Sequence, residues 1–463
     1  MRQLPLLLAL WLPCSALATP PEERLAAAIR LETISHEDAA QFRAEPFLAF
    51  HALLASSYPR AHAALEREVV ADYSLLYSWR GSDPALAPIL LTAHLDVVPV
   101  TPEALPDWEQ PPFSGAIRDG FVWGRGALDD KASLIAIFEA VEQLVAAGFR
   151  PERSVLLAFG HDEEIGGERG AGGITQLLAS RGVRLWMSLD EGLAIVSGAG
   201  GIEGSAALVG IAEKGFLTLE LTARAPGGHS STPPPQTAIG RLARAIRRIE
   251  ENPLPARIEG VAAQTFDALA PQLSFLRRTA IAHRALFGPL LRRRLAADPA
   301  TNAMIRTTAA VTMIRGGVKE NVLPQSASAT LNLRLLPGDT VAGVVASLRE
   351  ILDDPELEIE QRSATEASAI APSRGPQFRA IEAALEQIDP GLPVAPGLLV
   401  AGTDTKWYGR ISGAAYRFVP FRFEPSDLRR AHGSNERISL ENLRYGIRFY
   451  AALIRQAAAP PAR

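Results

Sequence analysis

The chain has 463 residues, 47% of them hydrophobic and 21% charged, which places it with globular proteins that have a large core rather than with disordered or membrane ones. A formal net charge of −4 excludes any general pull towards nucleic acid or an anionic membrane, and the basic run Arg292–Arg294 reads as a solvated helix face. At this length two or three domains are expected rather than one.

Residues 1–18 read as a secretory signal peptide: Arg2, an apolar run from Leu4 to Leu12, then Ala16-Leu17-Ala18 before Thr19. The run is far shorter than the roughly 20 residues that cross a bilayer, and no later stretch supplies a span. Cleavage after Ala18 and a secreted or periplasmic protein are therefore expected. The single cysteine, Cys14, falls in this leader. The mature chain is then expected to lack a thiol, which excludes a cysteine nucleophile and Cys-ligated zinc.

Further along, Pro88 to Pro99 predicts a buried strand running into the polar tip His94-Leu95-Asp96. A helix is predicted over Lys131–Ala147, preceded by Asp129-Asp130 and stopped at Gly148. Ser154–Phe159 predicts a second strand, tipped by Gly160-His161-Asp162-Glu163-Glu164, and Arg184–Leu189 a third, tipped by Asp190-Glu191. This alternation predicts an α/β domain with a parallel or mixed sheet. In such sheets ligands gather at the carboxyl ends of the strands, so the three tips belong to one site.

After the glycine-rich stretch 198–204 the pattern changes. Residues 217–223 and 328–334 alternate like half-exposed antiparallel strands, a helix follows Thr237, another covers Val341–Leu352, and a strand is predicted over Glu356–Glu360. This is a separate α+β domain. It carries extra sequence over 252–315, with Phe266, Leu269, Leu273, Leu276, Leu286, Phe287, Leu290 and Leu291 at roughly helical spacing. From Val394 the α/β pattern returns. The expected division is a leader at 1–18, one part of the α/β domain at 19–207, an inserted domain at 208–362 and the second α/β part at 363–463.

Two residues apart on a strand, His94 and Asp96 face the same way, so a carboxylate can hold the imidazole while its other nitrogen binds a metal. Three adjacent carboxylates, Asp162 to Glu164, repel one another unless cations neutralise them or a solvated loop takes them up. His432 lies in Ala431-His-Gly-Ser-Asn-Glu436 and His229 in Gly227-Gly-His-Ser-Ser231. Histidines and carboxylates without sulfur suit zinc, manganese or cobalt. Gly166–Gly173 lacks the spacing of a dinucleotide fingerprint, and there is no Gly-x-Ser-x-Gly elbow.

Taken together, Thr92-Ala-His-Leu-Asp96, Trp123-Gly-Arg-Gly-Ala-Leu-Asp-Asp-Lys131, Gly160-His-Asp-Glu-Glu164, Gly227–Ser231 and Ala431–Glu436 carry a resemblance. The chain resembles the M20 family of metallopeptidases and aminoacylases, and within it the branch of carboxypeptidase S and secreted N-fatty-acyl-amino-acid hydrolases, over nearly all the mature sequence. The resemblance implies a mixed-sheet α/β catalytic domain with an inserted α+β lid of the dimerisation type. It implies two Zn2+ ions, or Mn2+ or Co2+: His94 and Asp190 would hold one, Glu164 and His432 the other, and Asp129 would bridge them across a cis Asp129–Asp130 peptide. Asp96 would orient His94, and Glu163 would be the general base. On lid closure His229 would stabilise the oxyanion, supplied in dimeric relatives by the partner subunit. Asn321 and Arg334 would hold the substrate carboxylate, and Gly402-Thr403-Asp404 would line the same pocket. The expected substrate is an N-acyl amino acid or short peptide, with a hydrophobic acyl group favoured by the apolar 252–315 segment. The alternative of another class is a binding protein that keeps the fold without the chemistry.

Overall fold

The computed structural model describes residues 19–198, 202, 204–424 and 426–459, so the leader-like residues 1–18 lie outside the described residues. The largest element is an eight-stranded mixed sheet in the order Glu66–Val70, Ser74–Trp79, Val155–Gly160, Ile89–His94, Met187–Ser197, Ala415–Phe423, Ser205–Glu213, Val394–Leu399. The strands Val155–Gly160, Ile89–His94, Met187–Ser197 and Ala415–Phe423 are parallel, so their carboxyl ends share one edge.

These strands read as unbroken apolar runs because both faces are covered. Ile89, Leu91, Leu157 and Phe159 point into a core shared with helices Pro21–Ile29, Lys131–Ala146, Pro376–Ile388 and Leu440–Ala458. Their neighbours Leu90, Leu156 and Ala158 point the other way, against helix Ala171–Ser180. The predicted helix at Lys131 is present and stops where expected, with Gly148 at φ +71°.

A second, wholly antiparallel sheet has the order Thr308–Gly316, Ser326–Leu335, Gly215–Arg224, Glu358–Thr365. Helices Ala238–Glu251 and Val341–Leu352 pack on it through Leu242, Ala245, Val344 and Leu348. The Thr237 hydroxyl caps the first by accepting from Gly240 N–H, and Thr340 caps the second in the same way through Gly343 N–H.

Three sequence-based boundaries move. Strand Ser205–Glu213 belongs to the large sheet, so a division at 207/208 cuts it, and the chain changes sheets between Glu213 and Gly215. The last lid strand runs to Thr365, past 362, because it keeps pairing with Gly215–Arg224 beyond its apolar part. The strand predicted to end at Leu189 runs to Ser197, because Ile195–Ser197 pair in a hairpin with Ser205–Ala207. Asp190 and Glu191 therefore sit within a strand, not at its tip.

Candidate active site

At the shared carboxyl edge, His94 ends its strand, and the turn Glu163–Ile165 follows the strand beside it. Asp129 stands two residues before the helix Lys131–Ala146, joined to the N-cap residue Asp130 by a cis peptide. His432 arrives from the far end of the sequence. It is brought in by the short strand Arg437–Ser439, which pairs with Phe121–Trp123, itself hairpinned to Ala116–Arg118. That small sheet was missed from the sequence, although Asp119-Gly120, both at positive φ, is the usual signal for such a hairpin.

Asp129 lies between the two histidines. Its Oδ1 is 2.9 Å from His94 Nε2, and its Oδ2 is 3.1 Å from His432 Nε2. Glu164 Oε2 lies 3.0 Å from the same His432 nitrogen, while its Oε1 is buried without a partner. His94, Asp129 and Glu164 present ligand atoms within 4.8 Å of one another, as do His94, Glu163 and Glu191. One carboxylate facing two imidazoles with one oxygen each is the disposition of a bridging ligand, and an oxygen and imidazole donor set suits hard to borderline divalent cations.

Electrostatics agree. Burial would lower the His94 pKa, but its bonds to Asp129 and Asp96 outweigh that and hold it well above the ordinary range. Hydrogen bonds to Asp129 and Glu164 raise His432 to about 10. Burial, then the charge of Asp129, pushes Glu191 well above the usual carboxylate range. So many buried carboxyls around two imidazoles form an anionic cavity that bound cations relieve. The residues present fit divalent metal.

Glu163 is half-buried beside this cluster. Burial, reinforced by Glu164, Asp96 and Asp129 against the opposing pull of His94, pushes its carboxyl up to about 8. A carboxylate poised near neutrality is suited to taking a proton from water and giving it up again.

Asp96 plays a wider part than the sequence implied. His94 Nδ1 is nearest the Asp96 backbone oxygen, at 2.9 Å, with the carboxylate at 3.4 Å. The carboxylate itself accepts from the N–H groups of Glu163 and Glu164, at 3.2 and 3.1 Å, and from the Ser35 hydroxyl. It fixes the two glutamates as well as the histidine.

Glu436 was not foreseen as a site residue. It is fully buried, accepts from Arg125 Nη1 at 2.6 Å and from Leu128 N–H at 2.8 Å, and lies 3.2 Å from Asp129 N–H. Arg125 in turn donates to the His432 carbonyl at 3.1 Å, so the pair locks the Asp129 and His432 loops together.

Other residues singled out in the sequence have partners of their own. The Asp190 carboxylate accepts from the Thr405 hydroxyl at 2.8 Å, and it is the neighbouring Glu191 that comes within 3.8 Å of His94 Nε2. The strand bulges at this point, since Asp190 pairs with Arg417 and Leu193 with Phe418, leaving Glu191 and Gly192 unpaired between them. Asp162 does not join Glu163 and Glu164, because its oxygens accept from Arg169 and Gly170 N–H groups at 2.9 Å. Thr403 bonds the buried Glu213 at 3.3 Å, and Gly402 is exposed. His51, His62 and His161 bond Tyr73, Tyr58 and Ser74, as structural histidines should.

The expected carboxylate clamp is split. His229 and Asn321 lie side by side in a separate two-stranded ribbon that follows the Arg224–Ser326 end of the four-stranded sheet, where His229 pairs with Val322 and Ser230 N–H donates to the Asn321 carbonyl. Arg334 is at the opposite end, paired in register with Phe216, its guanidinium over that ring. Eight residues separate Ser326, paired with Arg224, from Arg334, about 26 Å at roughly 3.3 Å per residue.

The sequence profile of peptidase family M20/M25/M40 matches residues 90–456. The chain belongs to this family. It is 39% identical over 440 residues to an N-fatty-acyl-amino acid synthase/hydrolase of Xenopus tropicalis, covering 94% of this chain and 85% of that one. It is 38% identical over 439 residues to a probable carboxypeptidase S-like protein of Dictyostelium discoideum, covering 94% and 84%. The fold matches that of an M20 metallo-carboxypeptidase from Sulfolobus solfataricus with a TM-score of 0.67 at 18% identity, over 94% of this chain and 99% of that one. This M20 chain is thus a metal-dependent hydrolase of amide bonds in N-acyl amino acids or peptides.

Proposed function

We propose that the protein cleaves N-acyl amino acids whose acyl group is hydrophobic, at a centre of two divalent ions, zinc in the first place. The observation that carries this is Asp129, which offers one oxygen to each of two histidines. In this reading His94 and Asp129, with Asp190 or the nearer Glu191, hold one ion. Asp129, Glu164 and His432 hold the other. Bound there, such ions polarise the amide carbonyl and acidify water.

The protein's own groups do the rest. Glu163 accepts a proton from the attacking water as its oxygen bonds to the carbonyl carbon, then delivers that proton to the amide nitrogen as the C–N bond breaks, so an amine and a carboxylic acid leave, the acid ionising in water. Asp96 holds Glu163 and Glu164 by their backbone N–H groups. Arg334 offers a planar fork for the amino acid's carboxylate. The small sheet and its two helices act as a lid, and the separation of Arg334 from His229 and Asn321 supports a homodimer in which a second copy supplies the latter two. The leader-like residues 1–18 support export from the cell.

The names of the fatty-acyl relatives and the apolar 252–315 segment favour a long acyl chain. The test is a panel of N-acyl-phenylalanines from acetyl to decanoyl, as free acids and as amides. We expect kcat/KM to rise well over tenfold with chain length and the amides to be poor. A flat series, or one favouring peptides, would leave the carboxypeptidase reading in its place, and no hydrolysis at all would leave a binding protein.

A further inference from the structure

The chain crosses between the two sheets twice, and both crossings meet at one buried carboxylate. Glu213 ends the strand Ser205–Glu213, and only Lys214 separates it from the lid strand Gly215–Arg224. On the way back, after Glu358–Thr365, Ser368 ties to the same residue by two bonds. Its hydroxyl accepts from Glu213 N–H at 2.9 Å, and its own N–H donates to the Glu213 carbonyl at 3.1 Å. Glu213 is 4% exposed. A carboxylate costs more to bury at a crossing than an apolar side chain would, so its partners matter.

Those partners lead to the metal cluster by two routes. Glu213 Oε2 accepts from Arg417 Nε at 3.2 Å. Arg417 is fully buried and is the register partner of Asp190. A Cβ at Gly192 would lie 2.6 Å from the Arg417 Cβ, so the bulge at Glu191-Gly192 is seated directly on this arginine. Along the second route the same Glu213 oxygen accepts from the Thr403 hydroxyl at 3.3 Å. Thr403 Oγ1 accepts from Thr405 N–H at 3.2 Å, and the Thr405 hydroxyl donates to Asp190 at 2.8 Å. Both threonines are buried, and hydrogen bonds in so dry a chain strengthen one another. A cavity of about 260 Å3 lies between the returning segment 365–371 and Thr405, Lys406 and Arg417, so the crossing has room to shift.

We infer that Glu213 is a positioning residue: from the crossing into the lid it holds Asp190 and Glu191 in the arrangement that receives a metal ion. The set of the hinge and the filling of that ion's site then depend on each other. The inference rests on the proposed metal centre, in which one of Asp190 and Glu191 is a ligand, and on nothing about the substrate.

The test titrates zinc into the metal-free, full-length protein against a chelator of known affinity, and follows amide hydrogen exchange over 214–216 and 366–368 with and without zinc. The wild type should bind two ions, and zinc should slow exchange at both crossings. Thr403→Val cuts the chain to Asp190 and leaves the Glu213–Arg417 pair in place. It should weaken one ion about tenfold or more, leave the other unchanged, and abolish the slowing at the crossings. Thr403→Ser keeps the hydroxyl and should behave as the wild type. Glu213→Met removes both routes and should weaken the same ion further. Because it also strands the Arg417 charge, near-UV circular dichroism checks its fold, and Thr403→Val decides the matter if Glu213→Met does not fold. Two ions held by Thr403→Val as tightly as by the wild type, both ions weakened alike, slowing that persists, or a serine variant as weak as the valine one would each overturn the inference while leaving the metal centre standing. A wild type that binds fewer than two ions overturns the centre itself and this inference with it.

Discussion

At the scale of single residues, the centre depends on buried charges that hold other groups in place. Glu436 and Arg125 are buried and pair at 2.6 Å, and between them they bond the backbone at Leu128 and His432. Removing one member strands the other's charge in a dry site, which costs about 3–5 kcal/mol. Glu436→Ala should lose that much in urea unfolding and should bind zinc about 10–100-fold more weakly, because Asp129 and His432 lose their common support. Unchanged metal affinity would show that the two loops hold themselves. Much of this scale was legible: His94, Asp129, Glu163, Glu164 and His432 were named from motifs, and they do come together. What was not legible is side-chain direction. Asp190 and Glu191 are equivalent as text, and only a bulge at Glu191-Gly192 in a strand longer than predicted turns one to Thr405 and the other to His94. Glu436 was hidden for a related reason, since its partners lie more than 300 residues away.

At the scale of elements, the crossing between the sheets is tied by Lys214. Its ammonium donates to the Ala303 and Arg306 carbonyls at 3.0 and 2.8 Å, at the end of helix Pro299–Ile305, where carbonyls lack helical partners. Burial, then the nearby Arg334, lowers its pKa from 10.5 to about 8. Between pH 8 and 10.5 the unfolded chain therefore binds more protons than the folded one, so this group adds stability as pH rises through that window. Below pH 8 its burial penalty is constant. The difference in unfolding free energy between wild type and Lys214→Met should therefore shift in the wild type's favour from pH 8 to 10.5, by at most about 3 kcal/mol. A difference independent of pH would mean the ammonium is not held dry. The strands and helices of both sheets were readable from period and caps, as at Thr237 and Gly148. Their ends were not, because pairing carries Met187–Ser197 and Glu358–Thr365 past the end of their apolar signal.

At the scale of the whole molecule, the two sheets set what one chain can do alone. His229 and Asn321 sit in a two-stranded ribbon beyond one end of the four-stranded sheet, and Arg334 sits at that sheet's other end. If a second copy supplies His229, the variants His229→Ala and Glu163→Gln, each inactive alone, should restore activity when unfolded and refolded together. Random pairing of the two gives half heterodimers with one intact site of two, about a quarter of wild-type activity. No recovery, with both variants dimeric, would place His229 in its own chain's site.

The most direct measurement on the central claim pairs metal analysis with turnover in Glu163→Gln. The substitution keeps the side chain's size and removes only its capacity to take a proton. The account predicts about two divalent ions per chain, as in the wild type, with turnover lower by about 2–4 orders of magnitude. Near-normal turnover would contradict Glu163 as the base, and loss of metal would place it among the ligands.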